Sequence, residues 1–319
     1  MKNDNMPTEP NERVLNRELQ KVKNQIFLID SCSLLQELVN YATHAFLRCA
    51  SSPNYQKDID LPILLLYLHT IEMTDGIEVL ISQSCATPAI PLVRSSFEAF
   101  LSIEFLVEDE CNYKKRSLAW LNDYVHNRLS LYQSLNPSSE KGKEFLEIKR
   151  KDKIASDILL PSIDVVEIAE KNLVNFLKSD EMREVEEAFR ISKKSKKSRP
   201  SWFSLFNGPS TMQKLAQHVK YGIEYEILYR QWSQISHAHD ISRFIGKTIE
   251  GESAIFGLRN QQFLPEVFTF SSIFLLNSTR LLLKKFRPSE DIKTWYSREI
   301  RSKYMELIKN LEFRVRDLR

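Results

Sequence analysis

The sequence predicts an all-α protein, a multi-helix bundle with an irregular charged insertion in the middle. Apolar residues recur at the three- and four-residue spacing of a helix over long parts of the chain. Only seven of the 319 residues are glycine, about a third of the usual share. Short breaks rich in proline and polar residues separate the apolar stretches, as between neighbouring helices of a bundle.

Four helices are predicted in the first 135 residues. Apolar spacing indicates the first over 14–49 and the second over about 61–85. The third starts at the proline-containing segment 86–91 and reaches about Glu108, and the fourth covers about 112–135. Three of them are strongly apolar and the fourth is amphipathic, so we expect them to pack against one another.

The domain organisation follows from the change in composition along the chain. Residues 1–12 are polar and predict a disordered tail, and residues 13–319 predict a single helical domain. The insertion covers about 138–209 and is charged and weakly periodic, with one helix near 163–179.

The part that follows the insertion is again helical. Ser210 or Thr211 is a suitable cap for a helix that reaches about His239. Three glycines within 246–262 indicate a loop, and an apolar helix is predicted over 265–286, followed by a basic terminal helix. No stretch convincingly predicts a strand.

Composition limits the class of protein. The net charge of +3 neither requires nor excludes nucleic acid. The longest apolar stretch, 61–73, is too short to span a bilayer, and the first residues lack the apolar core of a signal peptide. We therefore expect a cytoplasmic protein with no membrane contact. No Cys/His spacing typical of a metal site and no glycine-rich phosphate motif occurs, so we expect no metal and no cofactor.

Four polar residues form a stripe on the predicted helix before His239. They are Glu226, Arg230, Ser233 and His237. Their spacings of four, three and four place them on one helix face, and the rest of the helix is largely apolar. Such a stripe is expected to face the core or to form a site. Arg230 and His237 lie about 10 Å apart along the axis, so a second helix or a second subunit would have to bring both to one phosphate.

Two further charges lie on the apolar third helix. Arg94 and Glu98 are four residues apart, which predicts either a partly buried ion pair that fixes helix register or an approach to the polar stripe. With Glu226 and Arg230 they would make a cluster of two acids and two bases. That cluster is either part of a site or a structural polar network.

The motif residues resemble those of a known group of sequences. Tyr225, Tyr229-Arg230, Ser233 and His237 resemble the YxxxYRxxSxxxH signature of an uncharacterised bacterial family of helical proteins. The RSxxE motif from Arg94 to Glu98 resembles the same family. The Arg–six residues–His spacing is also distantly similar to that of the HEPN superfamily. This resemblance implies a metal-independent RNA endonuclease of toxin or phage-defence type that acts on RNA as a homodimer.

The chemistry of the side chains suits that expectation. His237 would be the general acid and base, because an imidazole pKa near 6.5 allows proton transfer in both directions at neutral pH. Arg230 would stabilise charge on the phosphorane, and Ser233 and Glu98 would orient the pair. Tyr225 and Glu226 would support the site. The alternative is a non-catalytic helical binding or scaffold module whose polar stripe is structural.

A basic run, KKSKKSR at 193–199, has five cations in seven residues. Repulsion and hydration predict a solvated loop that is exposed or mobile. The other interpretation is a nucleic-acid contact. Its cations are Lys193, Lys194, Lys196, Lys197 and Arg199.

Overall fold

The computed structural model describes most of the chain. The described residues are 25–151, 162–196, 199–232, 235, 245–247, 253–255, 258–259, 263–290 and 292–309. Contacts, burial and cavities refer to these residues alone. The tail predicted for 1–12 lies outside them.

Helices dominate the described residues, which confirms the all-α prediction. The α-helices are α1 (Gln25–Ala50), α2 (Lys57–Ser82), α3 (Ala86–Val107), α4 (Tyr113–Leu135), α5 (Glu140–Lys151), α6 (Ile163–Leu177), α7 (Arg183–Lys196), α8 (Met212–His218), α9 (Gly222–Tyr225), α10 (Leu264–Phe286), α11 (Ile292–Trp295) and α12 (Arg301–Lys309). Short 3₁₀ turns occupy Asp180–Met182 and Trp202–Ser204, and π-helical segments occupy Glu226–Gln231 and Tyr296–Ile300. Within the described ranges, no helix combines the length and the apolar character that a membrane span requires.

The structure differs from the prediction in two places. The charged insertion contains three helices, α5 to α7, where the sequence indicates one. A short antiparallel pair, β1 (Ile245–Lys247) and β2 (Ser253–Ile255), sets Ile245 opposite Ile255. Strands of three residues are too short to show an alternating pattern, which is why the sequence did not indicate them.

The chain divides into two compact units. The terminal unit comprises the described residues of Met1–Cys49, Tyr67–Phe100 and Glu226–Arg319. The central unit comprises those of Ala50–Leu66 and Leu101–Tyr225, and it contains the whole predicted insertion 138–209. The single domain predicted over 13–319 stays a prediction.

The core of the terminal unit is built from large side chains on α1, α3 and α10. Phe274 on α10 is fully buried, with its ring centroid 5.1 Å from that of Phe97 and 5.4 Å from that of Phe100, both on α3. The buried Tyr67 hydroxyl donates to the Ala42 carbonyl at 3.1 Å and lies 2.8 Å from Thr279 Oγ1. The contacts of Phe274 position α3, which carries Arg94 and Glu98.

The core of the central unit includes a buried carboxylate that accepts hydrogen bonds through both oxygens. Asp60 is buried, and it accepts hydrogen bonds from the Tyr113 hydroxyl and from the Gln56 backbone amide, each at 2.7 Å. These donors offset the cost of removing the charge from water. Trp202 and Phe203 are buried in the same unit, and the ring of Phe105 lies 5.7 Å from that of Trp202. The segment 201–209 is therefore anchored by its apolar side chains.

The single helix predicted from Ser210 or Thr211 to His239 is interrupted. Thr211 caps α8 as expected, with its hydroxyl accepting from the Lys214 amide at 3.2 Å. Helix α8 ends at His218, and Lys220 takes a left-handed conformation with φ of 69°. The Tyr221 amide then bonds the Ala216 carbonyl at 2.7 Å, the closing bond of a helix terminus. Apolar spacing alone does not reveal this break, because the spacing continues across the break.

Candidate functional site

Arg94 and Glu98 form an ion pair on α3. The Arg94 Nε atom lies 3.4 Å from Glu98 Oε1, and the two side chains are 21% and 39% exposed. A separation of four residues brings both side chains to the same face of the helix. The pair is therefore partly buried, as the first of the two sequence interpretations expects.

Tyr229 joins this pair from a distant part of the chain. Its hydroxyl donates to Glu98 Oε1, the oxygen that also accepts from Arg94. The Arg94 guanidinium carbon lies 3.8 Å from the centroid of the Tyr229 ring, within cation–π range. We call these three residues the Arg94–Glu98–Tyr229 cluster. Tyr229 belongs to the sequence signature but was not among the predicted site residues.

The environment keeps the Tyr229 phenol protonated. Burial and the hydrogen bond to the Glu98 carboxylate raise the pKa of Tyr229 to about 12. At neutral pH the hydroxyl is therefore a donor to Glu98 and not an ionised base. Because the pKa of Tyr229 in the folded protein lies above the ordinary value of 10, its protonated hydroxyl stabilises the folded state, and this contribution is fully present below about pH 10. It is lost as the pH rises through about 12.

Arg230, the next residue, points away from the core. Its side chain is 73% exposed, and its guanidinium lies 2.9 Å from Glu226 Oε2. Both residues lie in the π-helical segment Glu226–Gln231, where the Trp232 amide bonds the Ile227 carbonyl at 3.2 Å across five residues. The wider turn changes which side chains face the protein. The position expected to face inward is thus taken by Tyr229.

The predicted site is therefore only partly assembled in the described residues. Glu226 and Arg230 contact each other, and Arg94 and Glu98 contact Tyr229. Tyr225 ends α9 and is half-buried. Ser233 and His237 lie outside the described residues. That His237 shares one helix face with Glu226 and Arg230 therefore stays a prediction.

The basic run proves to be partly helical. Lys193 and Lys194 are exposed on the last turn of α7, where a loop was expected. Arg199 instead contacts α4, donating to Asp123 Oδ1 at 2.9 Å, to the Asp123 carbonyl at 2.6 Å and to Asn127 Oδ1 at 2.5 Å. Its charge is thus matched by Asp123. The Lys196 side chain and Lys197 lie outside the described residues.

Tyr229→Phe is expected to lower the free energy of unfolding by about 1 kcal/mol, because it removes one hydrogen bond to a carboxylate that water can partly replace. Urea denaturation of the two proteins measures the difference. Tyr124→Phe is the control, since Tyr124 is 45% exposed and a surface change should stay within about 0.5 kcal/mol. Equal effects of the two substitutions would show that the cluster adds no stability.

Comparison with known proteins places these residues in a family. A family of unknown function, DUF5677, matches residues 60–253. The match covers more than half of the chain and includes Arg94, Glu98, Tyr229, Arg230 and His237. No curated protein and no solved structure matches the chain. The chain therefore belongs to the family of unknown function DUF5677.

Proposed function

We propose that this protein is a HEPN-like, metal-independent RNA endonuclease that acts in the cytoplasm as part of a toxin or phage-defence system. The observation that carries the proposal is the exposure of Arg230. If the polar stripe were only a structural network, this arginine should be buried among its partners. Its side chain is instead 73% exposed, so a phosphate can reach the guanidinium.

The ion pair with Glu226 does not prevent phosphate binding. Both partners are at least 40% exposed, since the Glu226 side chain is 40% accessible and that of Arg230 is 73% accessible. Exposed pairs of this kind contribute about 1 kcal/mol or less. A guanidinium can exchange such a carboxylate for a phosphate, to which it donates two parallel hydrogen bonds.

The Arg94–Glu98–Tyr229 cluster holds the residue next to Arg230 in a fixed position. Tyr229 is held through both its hydroxyl and its ring, and it precedes Arg230 directly in the chain. A held neighbour limits the directions that the Arg230 backbone can take. Single π-helical turns occur often at functional sites, and this one carries both residues. Glu98 and Arg94 would thus position the site through Tyr229.

The proposed reaction is an internal transfer at the RNA backbone. The 2′-oxygen attacks the adjacent phosphorus while His237 accepts its proton, and Arg230 stabilises the negative charge on the phosphorane. The bond to the 5′-oxygen then breaks, and the protonated His237 returns a proton to that oxygen. The products are a 2′,3′-cyclic phosphate and a 5′-hydroxyl, so atoms and charge balance without an added nucleophile.

A homodimer would help to complete this site. Helical side chains lean toward the N-terminus of their helix, so Arg230 would lean away from a residue seven positions later. A second copy of the chain could bring its His237 to the phosphate that Arg230 binds. The proposal therefore includes RNA and a second copy of this protein as partners.

Cleavage of RNA in EDTA tests the proposal. Wild-type protein is expected to cut a mixed panel of single-stranded RNAs in excess EDTA and to leave cyclic phosphate ends. Arg230→Ala should lower the rate by about 10²- to 10³-fold, the cost of losing a group that stabilises the transition state. Gel assays with end-labelled RNA give both the rate and the chemistry of the ends.

Arg298→Ala is a matched control. Arg298 also lies in a π-helical segment, is 71% exposed and is paired with a neighbouring glutamate, Glu299. Its substitution should leave the rate within about twofold, since it has no part in the proposed site. Similar losses for Arg230→Ala and Arg298→Ala would point to a general effect of charge and would contradict the assignment of Arg230.

The alternative is a non-catalytic helical binding or scaffold module. One observation favours it: every described charge at the site already has a partner, with Arg94 on Glu98 and Arg230 on Glu226. This alternative expects no cleavage of any RNA by the wild-type protein. It also expects that loss of a stripe residue lowers the melting temperature, because buried partners would be left unbonded.

A further inference from the structure

The central unit contains a cavity that the proposed nuclease does not use. Its volume is about 520 Å³, and it lies between the start of α4, the loop 205–210 and α8. Cavities for small molecules in proteins have volumes of about 300–1,000 Å³. The cavity therefore has room for one small ligand.

The charge of the cavity wall is positive. Lys115, Arg116, Lys214 and His218 line it, and no aspartate or glutamate is among its lining residues. The carboxylate of Glu108, which is not among the lining residues, lies 2.9 Å from Arg116 and 2.6 Å from His218. It holds these two side chains in place. The surface offered to a ligand is thus basic.

Two lysines remain available for an anion. Lys115 lies 2.6 Å from Glu184, but the two side chains are 45% and 62% exposed, so the pair is weak and exchangeable. Lys214 is exposed, and its ammonium group has no ion-pair partner within the described ranges. Two accessible ammonium groups beside a cavity are a suitable arrangement for a phosphate group.

An aromatic ring forms another part of the wall. Phe206 is 38% exposed, although the neighbouring aromatic side chains of Trp202 and Phe203 are buried. Its backbone is left-handed, with φ of 54°, and Asn207 follows with φ of 65°. This conformation is unfavourable for a phenylalanine and persists only where the surroundings enforce it. The loop therefore keeps the Phe206 ring at the cavity, although the ring is not buried there.

Close packing keeps this loop in one shape. The Gly208 amide donates to the Leu205 carbonyl at 3.1 Å, and a Cβ atom at Gly208 would lie 1.9 Å from the Phe203 carbonyl oxygen. Only glycine fits there. The cavity wall is therefore preformed, which limits the entropy that binding must cost.

We propose that this cavity binds a small phosphate monoester that carries a planar ring. The phosphate contacts Lys214 and Lys115, and the ring packs on Phe206, whose face also lies 5.6 Å from Lys115 Nζ. The proposal concerns residues of the central unit only. It goes beyond RNA cleavage and does not depend on it, because its test measures binding and not activity.

Isothermal titration of the full chain tests the proposal with four probes. Phenyl phosphate has both chemical features, inorganic phosphate has only the charge, and phenol has only the ring. Phenyl phosphate is expected to bind at least about tenfold more tightly than either of the others, because it alone makes the charged contact and the ring contact together. Uridine monophosphate is the fourth probe. Tighter binding than phenyl phosphate identifies a nucleotide as the ring source, and weaker binding identifies a simpler aryl phosphate.

Two substitutions separate the contacts. Lys214→Ala should weaken phenyl phosphate and inorganic phosphate by about five- to tenfold each, the loss of one charged contact. Phe206→Ala should weaken phenyl phosphate to the level of inorganic phosphate and leave the latter unchanged. Lys193→Ala is the control, since Lys193 is also exposed, lies in the same unit and does not line the cavity.

Two results would overturn the proposal. One is the absence of measurable heat with phenyl phosphate at millimolar concentration. The other is an equal loss of affinity in Lys214→Ala and Lys193→Ala, which would show attraction by overall charge. Circular dichroism melting of each variant accompanies the titrations. If Phe206→Ala unfolds the loop, Lys214→Ala alone decides the outcome, because its side chain is exposed and supports no packing.

Discussion

His237→Ala is expected to lower the rate of RNA cleavage in EDTA by about 10²- to 10⁴-fold, the usual contribution of general acid and base catalysis. The imidazole would both accept the 2′-hydroxyl proton and return a proton to the leaving oxygen, and alanine can do neither. The melting temperature should stay within about 1–2 °C of wild type, because a catalytic side chain open to its substrate adds little to packing. Cleavage and melting are measured on the same preparations.

The scaffold alternative expects the opposite pattern for this substitution. Wild-type protein would then be inactive on every RNA, and His237→Ala would lower the melting temperature. That pair of results would remove the nuclease proposal.

A further measurement tests the dimer: mixing Arg230→Ala with His237→Ala should restore cleavage if each site takes one residue from each copy. No recovery in a mixture shown to contain mixed dimers would place both residues of a site on one chain.

Phe274→Ala is expected to lower the free energy of unfolding by about 3–5 kcal/mol, the range for truncating a fully buried phenylalanine. The ring has no exposed surface, and its centroid lies 5.1 Å from that of Phe97, 5.4 Å from Phe100 and 5.8 Å from Phe270. Alanine would leave a cavity that these rings cannot fill without moving. Urea denaturation at 25 °C measures the change.

The same substitution should also disturb the candidate site. Phe97 and Phe100 lie on α3 beside Glu98, so a shift of their rings would move the carboxylate that holds Tyr229. Phe176→Ala is the control, since Phe176 is 37% exposed and its loss should cost about 1 kcal/mol or less. A cost for Phe274→Ala as small as that of the control would mean that the aromatic core does not support α3.

The sequence predicts α2, α3, α4 and α10 closely because each is long and apolar along one face. For α10 the predicted range of 265–286 differs by one residue from the observed Leu264–Phe286. Helices α5 and α7 were not indicated, since most of their residues are polar or charged and each carries only a few apolar residues. Thr211, one of the two residues predicted as the cap, does cap α8, because capping depends on neighbouring residues only.

Local spacing also accounts for part of the candidate site. The Arg94–Glu98 pair follows from a separation of four residues on one helix, and so does the contact between Arg230 and Glu226. Helical spacing did not indicate which side chain contacts Glu98. An α-helical period places Arg230 on the inner stripe, but the π-helical turn places Tyr229 there and leaves Arg230 exposed.

The sequence by itself therefore determined an all-α chain, the positions of its long helices and the residues that neighbour each other within a helix. Tertiary structure decided the rest. The bond from Tyr229 to Glu98 joins residues 131 positions apart, and the basic cavity brings Lys115 to Lys214 and Phe206. Helix period and capping are short-range properties of the backbone, whereas contacts over 100 residues depend on how whole helices pack.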